Sequence, residues 1–483
     1  LTHNRTRPAY IAAMLRKIGL VAGPTLFLLI WLWPTNGETT AQRTLAVAAL
    51  MLTWWVTEAV AIAVTSLLPV LLFPILGICT PDVAAAPYAK DYVFLFLGGF
   101  IIALALEKHS LHRYIAFKIL SRSGSGPRGI ILGIMLATAF LSMWISNTAT
   151  AVMMLPIATT AGAIYSENAP NPKNFNIAIL LGVAYGASIG GIATLIGTPP
   201  NMVMAGILDS KYGSTVTFGE WLLIGGPFSI IMFVLVYLLL TRVLFKIPAT
   251  GKEDNAELIA QNKTTRLTNV QKRVLWVFVF TCLGWALKDL IHLAVGVEFL
   301  SDPVIGIGGG IAMFIIPEAR FGGNGLLEWA DTVKLPWGII LLFGGGLSLA
   351  AALDRAGVME TIGVQFSGIS KEQTMLLMLA LTTVSLFLTE VMSNVALVTV
   401  FVPVVAGIGV NAGLAPETLS IPVTLAASCA FMLPMATPPN AIVFSTGELT
   451  MLQMAKSGFV LNIVAVLVIW VMWHFQFFSA PGL

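Results

Sequence analysis

Ser146-Asn147-Thr148 closes an apolar run that begins at Phe140-Leu141, and Ser393-Asn394-Val395 closes another that begins at Phe387-Leu388. Both runs continue to a proline, Pro156 and Pro403, and matching residues lie 247 positions apart. A second cassette follows each: Gly197-Thr198-Pro199-Pro200-Asn201, then Ala436-Thr437-Pro438-Pro439-Asn440. Small polar residues and Pro-Pro breaks free backbone N–H and C=O groups, which find no partner in hydrocarbon. Such backbone is tolerated at membrane depth only where it is buried in protein or lines a cavity. Two such breaks, at corresponding places in two halves of one chain, point to the binding site of a secondary transporter.

Composition agrees. With 57% hydrophobic and 10% charged residues and a mean hydropathy of +0.89, the chain holds more apolar sequence than one globular core accommodates. The expected fold is an all-α polytopic membrane protein with eleven spans, roughly 18–34, 43–57, 60–77, 92–107, 176–208, 221–243, 271–291, 300–317, 336–353, 417–446 and 457–477. Residues 129–163 and 374–411, interrupted by the Ser-Asn motifs, are expected as re-entrant hairpins. Segment 18–34 has basic residues before it but no small-residue cleavage site after it, so it reads as an anchor helix.

The hydrophilic stretch from Pro248 to residue 269 separates the halves. The expected organisation is an N-terminal tail and first helix (1–42), repeat one (43–245), a cytoplasmic linker (246–269) and repeat two (270–478). The halves also share Phe96-Leu97-Gly98-Gly99 against Phe343-Gly344-Gly345-Gly346, and Glu107 against Asp354. Five crossings in each repeat insert the two with opposite orientation, an arrangement that supports alternating access. With the N-terminus cytoplasmic and the C-terminus outside, twenty of the 26 Lys and Arg residues fall inside. The segment 109–128, with His112, Arg113 and Lys118 among Leu111, Ile115 and Phe117, reads as an amphipathic surface helix. Cys79, Cys282 and Cys429 are too scattered for a disulfide framework or a metal motif.

A hairpin that turns inside the membrane brings helix ends to its tip, N-termini favouring anions and C-termini cations. Ser, Asn and Thr add neutral oxygens and amide donors, which suit a hard cation such as sodium. Neither cassette contains Arg, Lys or His. An anion there is held by hydrogen bonds, helix ends and bound cations, so anion and cation binding are coupled. The bland reading of any one Ser, Thr or Gly in a membrane helix is close packing; duplicated, proline-broken spacing favours a site. Glu58 and Glu390 are the acids within apolar sequence. An intramembrane acid is a functional candidate, but each lies near an expected break, where capping backbone is the stronger reading. The Gly98-Gly99 and Gly344-Gly345-Gly346 runs read as places of close helix contact.

These motifs, with Trp54-Trp55-Val56-Thr57-Glu58-Ala59 and Ala430-Phe431-Met432-Leu433-Pro434, resemble the divalent anion/sodium symporters, which carry dicarboxylates, citrate or sulfate. The resemblance spans nearly the whole chain. It implies a homodimer whose protomers each have a scaffold domain and a transport domain moving as an elevator. It implies one sodium at Ser142, Ser146, Asn147 and Gly197, and a second at Thr389, Ser393, Asn394 and Ala436. It places substrate at Asn147, Thr148, Thr198 and Pro199 on one side and at Asn394, Thr437 and Pro438 on the other. Val395 departs from the Ser-Asn-Thr of many members and cannot offer a hydroxyl, so it reads as a position that tunes selectivity.

The expected function is sodium-coupled import of C4 dicarboxylates (succinate, malate, fumarate), not enzymatic. Its partners are then the lipid bilayer, co-transported sodium ions, the substrate and a second copy, with no nucleic acid, in a plasma or bacterial inner membrane. The rivals are a sodium-independent dicarboxylate or citrate exchanger and, behind it, a sulfate symporter. An intramembrane hydrolase using Ser146 or Ser393 lacks a base in the motif segments, and an anion channel lacks a basic ring. The topology predicts that an impermeant amine reagent modifies Lys108 and Lys456 from the cytoplasmic face alone; modification from outside would overturn it.

Overall fold

Three long helices begin at reciprocal caps written into the sequence: Thr217 with Glu220, Thr268 with Gln271, and Thr450 with Gln453. Each pair answers two otherwise unpaired N–H groups at a helix start. The computed structural model describes residues 6–34, 39–123, 126–166, 171–249, 266–296, 300–319, 323–358, 361 and 371–478. Most of the expected linker, 250–265, lies outside the described residues. Among the described residues there is no strand, only an isolated bridge between Pro317 and Gly325.

In chain order the helices of the first half are α1 (Thr6–Trp31), α2 (Thr39–Thr57), α3 (Ile62–Thr65), α4 (Leu68–Ile75), α5 (Pro81–Ala85), α6 (Asp91–Lys108), α7 (Leu111–Leu120), α8 (Pro127–Ser142), α9 (Asn147–Ser166), α10 (Pro172–Ala193), α11 (Pro199–Tyr212) and α12 (Phe218–Leu238). Those of the second are α13 (Asn269–Val295), α14 (Asp302–Ile315), α15 (Trp337–Arg355), α16 (Lys371–Leu388), α17 (Asn394–Asn411), α18 (Glu417–Ala427), α19 (Pro438–Phe444) and α20 (Met451–His474). Eight described helices are long and apolar enough to cross a membrane, or nine if Pro81–Ala89 and Asp91–Lys108, bent by 41°, form one span.

The expected segments land on these helices with instructive differences. The two hairpins are α8 with α9 and α16 with α17, close to 129–163 and 374–411. Segment 60–77 is two short helices, α3 and α4, parted where Ser66 Oγ turns back to the Ile62 carbonyl. Segments 176–208 and 417–446 are each broken, into α10 and α11 and into α18 and α19. Within the amphipathic segment α7 forms the helix, with Leu111, His112, Ala116 and Leu120 buried. Polar Ser121–Ser123 ends it before Pro127 starts α8.

The two halves interlock through their broken helices. The α19 piece of the second half packs on α9 and α10 of the first, and α11 of the first packs on α17 and α18 of the second. Phe96 and Phe343, equivalent residues of the two halves, meet edge to face at 5.8 Å. A separate contact sets α1 against α2, where Trp54 Nε1 donates to the Gly19 carbonyl at 3.1 Å.

Three Lys–Asp pairs sit near the ends of spans. Lys108 meets Asp331 at 2.7 Å and Lys211 meets Asp354 at 2.9 Å. Lys288 falls in an expected outside segment, yet it is buried and pairs with Asp302 at 3.0 Å. Asp302 also accepts from the Phe218 N–H at 2.8 Å, joining α14 to the start of α12. With Lys108 engaged, exposed Lys456 is the cleaner reporter of sidedness.

The glycine run of the first half is a contact point. At Gly98 a Cβ would overlap the Gly306 backbone where α6 crosses α14, whereas a Cβ at Gly308 meets open space. Gly98→Leu is expected to separate these helices and destabilise the fold by about 1–3 kcal/mol. Gly308→Leu should leave the melting temperature in detergent unchanged. Equal melting temperatures for both variants would count against this crossing.

Candidate functional site

Each hairpin turns over a short non-helical tip, and the same hydrogen bond fixes both. Ser142 Oγ donates to Asn147 Oδ1 at 2.7 Å, and Thr389 Oγ1 lies 2.7 Å from Asn394 Oδ1. Thr389 Oγ1 is also 2.7 Å from the Ala427 carbonyl, so one proton is shared between two acceptors. Ser142 and Thr389 are fully buried behind the tips, while Ser146 and Thr148 are exposed. Asn147 and Asn394 open α9 and α17, so unpaired helix N–H groups converge beside their side chains.

The second cassettes make the matching breaks. Thr198 and Thr437 are both extended, with φ/ψ of −141°/139° and −139°/150°. The prolines that follow begin α11 and α19, where the N–H they lack would be unpaired anyway. Behind each break an asparagine bridges freed carbonyls. Asn201 Nδ2 reaches the Thr194 carbonyl at 2.9 Å and Gly191 at 3.3 Å. Asn440 Nδ2 reaches Leu433 at 3.0 Å and Ala430 at 3.1 Å. The paired acceptors repeat at the 239-residue spacing that separates Asn201 from Asn440.

Here the halves diverge. The second break runs over 428–437, against 194–198 in the first. Its extra N–H groups are answered by Glu390, which is 3% exposed. The carboxylate accepts from Phe431 N and Met432 N at 2.9 Å, Leu433 N at 3.0 Å and Asn462 Nδ2 at 2.8 Å. Met143 stands at the equivalent position of the first half, and its carbonyl accepts from Thr194 Oγ1 at 2.5 Å. Glu390 is thus a backbone cap, and its carboxylate faces these donors.

Both tips and both breaks open on one cavity of about 570 Å³. Ser146, Asn147, Thr148, Gly197, Thr198 and Pro199 line it from the first half. Ser393, Asn394, Val395, Ala436, Thr437 and Pro438 line it from the second. Ser142 and Thr389 stand one layer behind and hold the asparagines. The space at the first tip is tight: a Cβ on Gly191 would run into the Asn147 amide. Among the described residues no group of three or more His, Cys, Asp or Glu could hold a metal, and the oxygens at the two tips and breaks are hydroxyl, amide and carbonyl.

The opposite wall takes Val56, Thr57 and Glu58 from the Trp54–Ala59 motif, while its other residues lie in no motif. Leu15 and Arg16 of α1, Val56 to Glu58 at the end of α2, Ile62, Phe100 and Ile339 complete the cavity. Arg16 and Glu58 are the charged residues among those lining it, and they face each other at 3.7 Å. The cavity wall therefore carries no formal net charge. Glu58 stood out in the sequence as an acid in apolar surroundings. Arg16 was one basic residue among many, and nothing in its spacing ties it to cassettes more than a hundred positions away.

Residues 15–478 match the family described as the sodium:sulfate symporter transmembrane region. The chain is 36% identical over 465 residues to the sodium-dependent dicarboxylate transporter SdcS of Staphylococcus saprophyticus, covering 94% of this chain and 89% of that one. It is also 36% identical over 467 residues to SdcS of Staphylococcus aureus strain NCTC 8325, with the same coverage. Two solved structures share the fold at 14% identity. One is the YdaH transporter of Alcanivorax borkumensis (TM-score 0.58, 85% of this chain and 90% of that one), the other MtrF of Neisseria gonorrhoeae (TM-score 0.58, 93% and 96%). The apolar helices and this match together make the protein an integral membrane protein, and the chain belongs to the sodium:sulfate symporter family of divalent-anion carriers.

Proposed function

We propose that the protein is a secondary-active importer that couples C4 dicarboxylates (succinate, malate or fumarate) to sodium. The observation that carries this reading is the pair of Ser-Asn tips and Thr-Pro-Pro breaks opening on one cavity without net charge. Two sets of donors, one from each half, suit an anion with a carboxylate at each end. Neutral oxygens suit sodium on either side: Ser142, Ser146, Asn147 and Gly197 for one ion, Thr389, Ser393, Asn394 and Ala436 for the other. Substrate then meets Asn147, Thr148, Thr198 and Pro199 from the first half and Asn394, Val395, Thr437 and Pro438 from the second. The relatives named as sodium-dependent dicarboxylate transporters support the sodium coupling and the substrate class. A dianion entering an uncharged cavity is stabilised by the cations bound beside it, and each then raises the other's affinity by the same factor.

The movement that fits is an elevator. The hairpins and broken helices are packed into one crossed body, and the cavity separates their tips from the wall built by α1, α2 and α3. Sliding that body along the wall exposes the same site to either side. The repeats are inverted in this reading, the N-terminus is cytoplasmic, the C-terminus is outside, and two copies form the working unit. Sulfate is the second reading, favoured by the description of the family itself.

The test is succinate uptake into empty proteoliposomes under an inward sodium gradient, set against an equal potassium gradient. Uptake with sodium alone, competed by malate and fumarate but not by sulfate, is the expected result. Uptake that needs preloaded dicarboxylate and ignores sodium would replace the symporter with an exchanger. Asn147→Ala and Asn394→Ala each remove an amide that contacts charged ligands. Each should lower coupled uptake about ten- to hundredfold, from roughly 1.5–3 kcal/mol. Both variants should keep the elution profile of the unmodified protein in detergent. Unimpaired uptake by either would overturn the site assignment.

A further inference from the structure

We infer that Arg16 is the anion-steering residue of the cavity and that Glu58 tunes it, an inference that rests on the dicarboxylate reading above. Both side chains line the cavity into which the two Ser-Asn tips open, and they are its charged groups among the described residues. A dicarboxylate moving through the cavity thus meets one fixed cation, and its counter-charge sits beside it.

The pair is built to stay divided between partners. At 3.7 Å, Arg16 Nη2 and Glu58 Oε2 are farther apart than a charge-assisted hydrogen bond, which closes to about 2.7–2.9 Å. The side chains are 59% and 55% exposed. The guanidinium therefore keeps its planar fork of donors available, the geometry that grips a carboxylate through two parallel bonds. Glu58 sits at φ +46°, a left-handed conformation unusual for a residue with a side chain. It lies at the junction between α2 and α3, within 3.7 Å of Arg16.

A structural strut is the competing role, and the fold makes it redundant. The α1–α2 contact is already fixed one turn away, where Gly19 and Gly23 leave room for Thr57 and Trp54 and Trp54 Nε1 bonds the Gly19 carbonyl. Arg16 is held at the cavity edge by that contact, not by Glu58. An incoming dianion is attracted by Arg16 and repelled by Glu58, so the pair sets affinity through the difference between two opposed charges.

Opposite signs identify this role. Sodium-dependent binding of radiolabelled succinate is measured on the full chain in detergent, for the unmodified protein, Arg16→Gln and Glu58→Gln. Arg16→Gln should weaken succinate binding about twofold to fivefold and Glu58→Gln should tighten it by a similar factor, the range of an exposed charge interaction. Both effects should shrink as choline chloride is added, because salt screens exposed charges. A strut predicts the same direction of change for both variants, and that result would overturn the inference alone. If Arg16→Gln does not fold, Glu58→Gln decides, since unchanged or weaker binding by it contradicts the assignment. Failure of the unmodified protein to bind succinate with sodium present would remove the dicarboxylate reading and this inference with it.

Discussion

Backbone that leaves the helix in an apolar layer must find every hydrogen-bond partner inside the protein. Leaving one buried donor or acceptor unanswered costs about 1–3 kcal/mol, and here two breaks free several at once. Asn201 and Asn440 answer the carbonyls of their breaks, and Glu390 answers three successive N–H groups of the longer one. The helix lengths follow. The arm before the first break, α10, has 22 residues, whereas α18 before the second has 11. The half with the shorter helix has more free backbone and carries the buried carboxylate. The tips, the cavity and the crossed packing all stand on these bonds.

The halves are alike where ligands would be met and unlike in what supports them. Ser142 and Thr389 hold their asparagines with matching 2.7 Å contacts, and Thr198 and Thr437 share one backbone conformation. Behind them the first half uses a carbonyl and a threonine hydroxyl, and the second uses a carboxylate and Asn462. Glu390 thus places a buried carboxyl group behind the second break, where Met143 stands in the first half.

Much of this was legible in the residues because the breaks are local events. Pro-Pro after Thr, and Ser-Asn closing an apolar run, declare non-helical backbone within a few positions, and duplication at constant spacing lifts them above ordinary packing residues. The misplaced features depend on particular side-chain partners, some of them distant in sequence. Segment 60–77 has the composition of a span, but its Ser66 bond and packing against Trp55 divide it into two helices. Lys288 looks like a loop cation until Asp302 folds against it. Glu390 and its backbone donors are some forty residues apart, and Arg16 reaches the cavity through the α1–α2 contact. No periodicity within one segment encodes those partners.

The crossed packing also bears on how the chain is made. Helix α9, which opens at Asn147, rests against α19, which begins at Pro438, about 290 residues later. At synthesis rates of about 5–20 residues per second, the first hairpin waits roughly 15 to 60 s for that surface to emerge. During that interval its polar tip sits in or beside the bilayer without the half that shields it. The cavity, lined by residues of both halves, is complete only once Pro438 has emerged.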